Sequence, residues 1–193
     1  MLEISEYINL NGVKQYILAT GNENGPLMLF LHGGPGVSQS GFIRKYQSKL
    51  EEDFLVVNWD QRGAGKSNTK IFSKDELKIN NIVNDAISLI EILRDRFKKN
   101  RVYLVGHSFG SLIGIILSQK IPQYIKAYIS IGQVVNINEG DKFIYKILLK
   151  KVNNENYQKG IKILKNIGKL VTMQGSSSFR VKEEMNKINI IEN

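Results

Sequence analysis

The chain has 193 residues, 42% hydrophobic and 23% charged, and it contains no cysteine. That length suits one domain whose folding buries roughly 70% of the unfolded chain's surface. Collagen-like, low-complexity and wholly disordered classes are excluded, as are disulfides, thiolate metal sites and a thiol nucleophile. The formal charge is +9, yet 21 of the 27 basic residues are Lys, in a sequence that also holds 26 Ile and 19 Asn. That joint excess is what AT-rich codons produce on any fold, and the basic residues are scattered, so no nucleic-acid partner is expected. No stretch reaches the ~18 apolar residues of a membrane span. The start, Met1 to Glu6, lacks a basic-then-apolar leader. The expectation is a cytoplasmic protein with no membrane partner.

The first predicted element is a hairpin, Tyr7–Leu10 and Val13–Leu18, around Asn11-Gly12. That pair tolerates the positive φ of a type I′ turn. Four apolar runs then read as buried strands: Leu27–Leu31, Phe54–Asn58, Val102–Val105 and Ala127–Ile131. Between them lie helical patterns: Phe42–Leu50, the long amphipathic Ile79–Phe97, and Phe109–Gln119, which is apolar nearly all round. This alternation predicts an α/β fold with a mainly parallel sheet and flanking helices. After Gly132 the pattern changes to two basic amphipathic helices, Lys142–Val152 and Glu155–Ile167, and a flexible, polar end. The chain is therefore divided into 1–135, the core, and 136–193.

Three glycine-rich motifs carry the chemistry. Gly106-His107-Ser108-Phe109-Gly110 follows a buried strand and opens a helix, the setting a nucleophile elbow requires. There the serine sits on a strained turn, and the new helix's backbone N–H groups, beginning with Phe109, face a developing oxyanion. His32-Gly33-Gly34-Pro35-Gly36 also follows a strand, and Gly34 is the candidate for a second oxyanion donor. His32 reads as an anchor of that loop. In Asp60-Gln61-Arg62-Gly63-Ala64-Gly65-Lys66-Ser67 the last three residues imitate a P-loop, but its opening glycine is replaced by Asp60 and no helix follows promptly. Asp60 and Arg62 are expected instead to hold two loops by charge-assisted hydrogen bonds. No cofactor and no metal are expected.

In this order the motifs resemble the α/β-hydrolase superfamily, and most of all its proline iminopeptidase-type serine hydrolases. The resemblance continues through Ile131-Gly132-Gln133-Val134-Val135-Asn136, which is similar to the segment entering those enzymes' helical cap. It implies Ser108 as the nucleophile on an ester or amide carbonyl, Gly34 and Phe109 as oxyanion-hole donors, and His32, Asp60, Arg62 and His107 as structural support. It also implies small esters or short peptides, typically with an N-terminal proline, as substrates, and residues 136–193 as a partial cap.

The triad order of this fold is Ser, acid, His, but no histidine follows Ser108, because His32 and His107 are the only two. Glu139 and Asp141 are candidate acids without a base, so neither the triad acid nor the triad His is found. The family's sheet continues beyond the cap by at least ~60 residues. The expectation is an N-terminal portion of a serine hydrolase that ends inside the cap. Two alternatives remain open: a ligand-binding pseudoenzyme, and a half-protein completed by a second chain. Either way, the strand Ala127–Ile131 would leave a sheet edge available for self-association.

Overall fold

The computed structural model describes residues 1–43, 45–154 and 157–172. The chain divides into two compact units, Met1–Val134 and Val135–Asn193.

The first unit opens with a hairpin of β1 (Leu2–Leu10) and β2 (Val13–Gly21). Asn11 (φ 49°) and Gly12 (φ 81°) supply the two left-handed residues its turn needs. Both strands are longer than expected. Leu2, Ile4, Ile8 and Leu10 alternate inward on one face. Glu6 interrupts that pattern and is paired with Arg96.

The sheet continues through β3 (Leu27–Leu31), β4 (Leu55–Trp59), β5 (Val102–His107) and β6 (Ile125–Ile131). Its order is β1-β2-β4-β3-β5-β6. The last four strands pair in parallel and the hairpin joins them antiparallel. The four expected runs are these strands with shifted ends: β5 runs on to His107, β6 begins at Ile125, and β4 is displaced by one residue. Phe54 does not enter β4, because its N–H bonds Leu50 O at 2.9 Å in the preceding turn, whereas Trp59 pairs with Ile17 and Leu31. The helix expected over Phe42–Leu50 is likewise two short pieces, α1 (Ser40–Ile43) and α2 (Ser48–Glu51). Gln47 separates them: its carbonyl starts the second turn at Leu50 (2.8 Å), and its buried side chain accepts from Asn58 Nδ2 at 3.0 Å.

The long helix α3 (Ile79–Arg96) and α4 (Phe109–Lys120) supply the helical part of the core. Ile82, Val83, Ala86, Leu89, Ile90 and Leu93 of α3 join Ile113 and Leu117 of α4 around Leu29, Leu31, Val57, Trp59 and Leu104. At the opposite sheet edge from β1, β6 pairs only with β5 among the described residues, and Ile129 and Ile131 are 44% and 49% exposed.

The second unit is a helical pair, α5 (Ile137–Asn154) and α6 (Gln158–Thr172), built on Leu148, Val152 and Leu164. The first helix begins five residues earlier than expected, where Asn136 Oδ1 accepts the Glu139 N–H at 3.1 Å and caps its start. The second begins at Gln158. Among the described residues no helix is long and apolar enough to cross a membrane. The flexible end expected from the sequence lies, from 173 onward, outside the described residues.

One polar residue, Asp85, lies fully buried on the apolar stripe of α3. Its carboxylate accepts both Arg62 Nε and Nη2 at 2.8 Å, Gln15 Nε2 at 2.6 Å and Asn11 Nδ2 at 2.9 Å. Gln15 Oε1 in turn accepts Trp59 Nε1 at 3.0 Å. The Asp85 hydrogen bonds hold the Arg62 guanidinium above its ordinary value. Removing one partner of such a pair strands a buried charge, at a cost of about 3–5 kcal/mol. Asp85→Ala is therefore expected to lower the unfolding free energy by that order in urea titrations followed by circular dichroism. An unchanged midpoint would show that the network is not carrying the hairpin-to-helix junction.

Candidate functional site

At the carboxyl end of β5 the chain reverses into α4 through Ser108, whose φ of 51° and ψ of −117° are outside the regions favoured by a non-glycine residue. Such a conformation costs about 1–3 kcal/mol and persists only where the surroundings impose it. Here they do. The Ser108 N–H donates to Ile131 O at 2.8 Å, and its carbonyl accepts the Ser111 N–H at 2.9 Å. Two glycines make the turn possible by close approach. A Cβ on Gly110 would collide with the carbonyl oxygen of Leu31, and one on Gly106 would lie 2.7 Å from Gly110 O. Serine at the first position of a helix usually caps it, but the Ser108 hydroxyl makes no capping bond. It is left available, half-buried, at the mouth of the elbow.

The His32–Gly36 loop lies against it. A Cβ on Gly33 would sit 3.1 Å from both Ser108 Cβ and His107 Nδ1, so any side chain there would crowd the elbow. Gly34 holds a φ of +119°. His32 is buried and uses both ring nitrogens: Nε2 accepts the Gln61 N–H at 3.0 Å, and Nδ1 lies 2.8 Å from Gly33 O. The acceptor role of Nε2 leaves the proton on Nδ1, which donates to Gly33 O. Burial pushes the His32 pKa below its ordinary value, against the Gly33 hydrogen bond and the charge of Asp60. Gln61 Nε2 closes the junction by donating to His32 O at 2.9 Å.

Asp60 ties the third motif to the second. Its carboxylate accepts Ser38 Oγ and Ser40 Oγ at 2.5 Å each and the Lys66 N–H at 2.9 Å. Ser67, fully buried, donates to Asp60 O at 2.5 Å and accepts the Tyr16 N–H at 2.7 Å. The Gly65-Lys66-Ser67 sequence is thus a short 3-10 turn folded around Asp60, with Lys66 Nζ over the Tyr16 ring. Asp60 joins two loops as expected. Arg62 does not: it grips helix α3 through Asp85, because its side chain leaves the sheet edge for the interior.

His107 and Gln39 were the least readable pair. Gln39, held between the two anchored serines, places Nε2 2.9 Å from His107 Nδ1. Neither imidazole nor any carboxylate hydrogen-bonds the Ser108 hydroxyl among the described residues. Glu139 stands in the first turn of α5, in the second unit, where Lys142 Nζ at 2.8 Å holds its carboxyl below the ordinary range. Asp141 follows in the same helix. Among the described residues no three His, Asp or Glu side chains converge as a metal site. Sequence reasoning missed Asp85, Gln39 and Ser111. Asp85 alone left a signal, a carboxylate on the stripe between Ile82 and Leu89.

A family model described as the alpha/beta hydrolase fold matches residues 26–156. A probable aminopeptidase of Bacillus subtilis (strain 168) is 39% identical over 145 residues, which are 75% of this chain and 46% of that protein. A putative proline iminopeptidase of Mycoplasma genitalium is 33% identical over 64% of this chain and 38% of its own length. The chain thus spans less than half the length of these curated relatives. Among solved structures, a proline iminopeptidase-related protein of Thermus thermophilus superposes with a TM-score of 0.66 at 23% identity, over 83% of this chain and 59% of that one. A mutant epoxide hydrolase of Vigna radiata gives 0.56 at 32% identity, over 66% and 38%.

The geometry of His32 fixes a pH dependence. Its folded pKa lies below the unfolded value near 6.5, so the unfolded chain takes up a proton first as pH falls. The stability it contributes is complete above about pH 6.5 and is lost as pH drops toward the folded pKa. Between about pH 7.5 and 5.5 the melting temperature is expected to fall more steeply in the unaltered chain than in His32→Gln, whose amide does not titrate. Parallel curves would show that His32 is not held neutral.

Proposed function

The chain belongs to the alpha/beta hydrolase fold family, and from that premise we propose that it carries the nucleophile and oxyanion-binding part of a serine hydrolase cleaving ester or amide bonds. The observation that carries this reading is Ser108 on its strained elbow, with its hydroxyl making no capping bond and Gly33 of the glycine-rich loop close beside it. Its Oγ attacks the substrate carbonyl carbon, and the backbone N–H groups of Phe109 and Gly34 receive the negative charge that develops on the carbonyl oxygen. His32 and Asp60 act at one remove by fixing the loops, Arg62 by its ion pair with Asp85 of helix α3, and His107 by packing against Gly33. The names of the relatives favour short peptides and amino-terminal residues, N-terminal proline among them, as the substrate class.

Collapse of the tetrahedral intermediate requires a base that takes the Ser108 proton and returns it to the leaving amine or alkoxide. His32 has both nitrogens engaged away from Ser108, and His107 Nδ1 is turned to Gln39. The same two observations favour a second reading, in which these 193 residues by themselves bind acyl or peptide ligands with little turnover. In both readings the ligands are small molecules.

A base supplied in solution separates the two. With added imidazole, hydrolysis of a p-nitrophenyl ester by this chain is expected to rise above the rate of imidazole with the Ser108→Ala variant. Without it, the rate is expected to stay near the residual ~10³–10⁴-fold acceleration left when a triad member is absent. Equal rates for the two proteins at every imidazole concentration would leave ligand binding as the function. Unaided turnover on the order of 1–10³ s⁻¹ would instead show that a base within the chain serves Ser108.

Self-association is expected through β6, whose outer edge pairs with no further strand among the described residues and lies beside the exposed Ile129 and Ile131. A charge of +9 opposes it but is screened over ~8 Å at physiological salt. Light scattering is expected to give a mass above the 21.9 kDa monomer, and Ile131→Lys to reduce it. A sharp monomer peak for the unaltered chain would rule the edge out as an association surface.

A further inference from the structure

Both peptide groups of Ser108 are fastened to the end of β6 and the stretch that follows it. The N–H bonds Ile131 O directly. The carbonyl is reached through Ser111, whose Oγ donates to Ser108 O at 2.5 Å and accepts the Val134 N–H at 2.9 Å. A serine in the first turn of a helix commonly bonds a carbonyl three or four residues back. Here the hydroxyl's acceptor side is also taken, by an amide of a different element. Ser111 is fully buried, so its hydroxyl reaches neither solvent nor substrate. Its own carbonyl accepts Tyr128 Oη at 2.7 Å, and Gln133 Nε2 donates to Val134 O at 2.9 Å, which closes the cluster. Val134 is the last residue of the first unit and stands three residues before α5 begins.

We propose that Ser111 is a positioning residue that makes the nucleophile elbow and the exit segment Ile131–Val134 one hydrogen-bonded piece, thereby holding the Ser108 hydroxyl toward the oxyanion loop. This deepens the nucleophile reading and rests on it. The strained backbone of Ser108 needs restraint on both sides. The Ser111 hydroxyl supplies the restraint on the carbonyl side and takes it from an element that α4 alone does not control.

The test compares the unaltered chain with Ser111→Ala, which removes the hydroxyl without adding bulk, and with Ser111→Thr, which keeps it. Two quantities are measured: amide exchange of Val134 by NMR, and the rate of Ser108 labelling by a fluorophosphonate, read by peptide mass spectrometry. In Ser111→Ala, Val134 exchange is expected to rise and Ser108 labelling to fall, each about tenfold, the scale of one lost buried hydrogen bond. Exchange at core amides such as Leu104 should stay unchanged, and Ser111→Thr should restore labelling. Val134→Pro removes the same bond from its other end and should slow labelling equally, so the prediction survives a Ser111 variant that fails to fold. Labelling of Ser111→Ala at the unaltered rate overturns the proposal. No Ser108 labelling in the unaltered chain counts against the nucleophile reading instead. Val134 exchange then decides on the tether alone: release in Ser111→Ala supports it, and an unchanged rate overturns it.

Discussion

The carboxyl edge of this sheet depends on how closely the first turn of α4 lies on the end of β3. Gly110 faces the carbonyl of Leu31 with no room for a Cβ, and Gly106 faces the carbonyl of Gly110 in the same way. A methyl group at either place would lift the helix away from the strand. That lift would separate Ser108 from the His32–Gly36 loop, where residue 33 lies close against the elbow. Backbone contact therefore sets the distance between the elbow and the His32–Gly36 loop, without any side chain acting as a spacer.

Beneath that edge the protein buries Asp60, Asp85 and His32, each with hydrogen-bond partners. Asp60 is surrounded by two hydroxyls and an amide, Asp85 by a guanidinium and two side-chain amides, and His32 by the backbone of its neighbours. Buried groups of this kind contribute little net stability when paired and cost several kcal/mol when a partner is lost. Their effect is geometric. They fix where the loops after β3 and β4 sit, and they join the hairpin turn at Asn11 to helix α3. The three residues that imitate a nucleotide-binding loop belong to this framework, since Ser67 and the Lys66 amide are consumed by Asp60 and Tyr16.

The site holds Ser108 on a strained elbow beside a glycine-rich loop. Among the described residues neither His32 nor His107 hydrogen-bonds its hydroxyl. The relatives are more than twice as long as the region they share with this chain. The first unit forms a continuous core in its own right. Stability of the elbow and completeness of the catalytic set are thus separable properties in this fold, because the first comes from local backbone packing and the second from side chains distant in sequence.

The sequence by itself determined the features that depend on local backbone chemistry. Asn11-Gly12 specified the hairpin turn, the apolar runs specified β3 to β6, and Gly106 to Gly110 specified an elbow, since each follows from φ preferences or periodicity within a few residues. Errors arose where a specific partner, near or distant, decided the outcome. The helix over 42–50 is broken where Gln47 meets Asn58, and Phe54 stays out of β4 because Leu50, four residues before it, holds its amide. Arg62 turns inward because Asp85, 23 residues later, is waiting on α3. Ser111 gave no sign of its bond to Val134, 23 residues on. A hydroxyl or carboxylate carries no preference for one partner until folding removes water and leaves it a single neighbour to bond. Only the tertiary structure decides which neighbour that is.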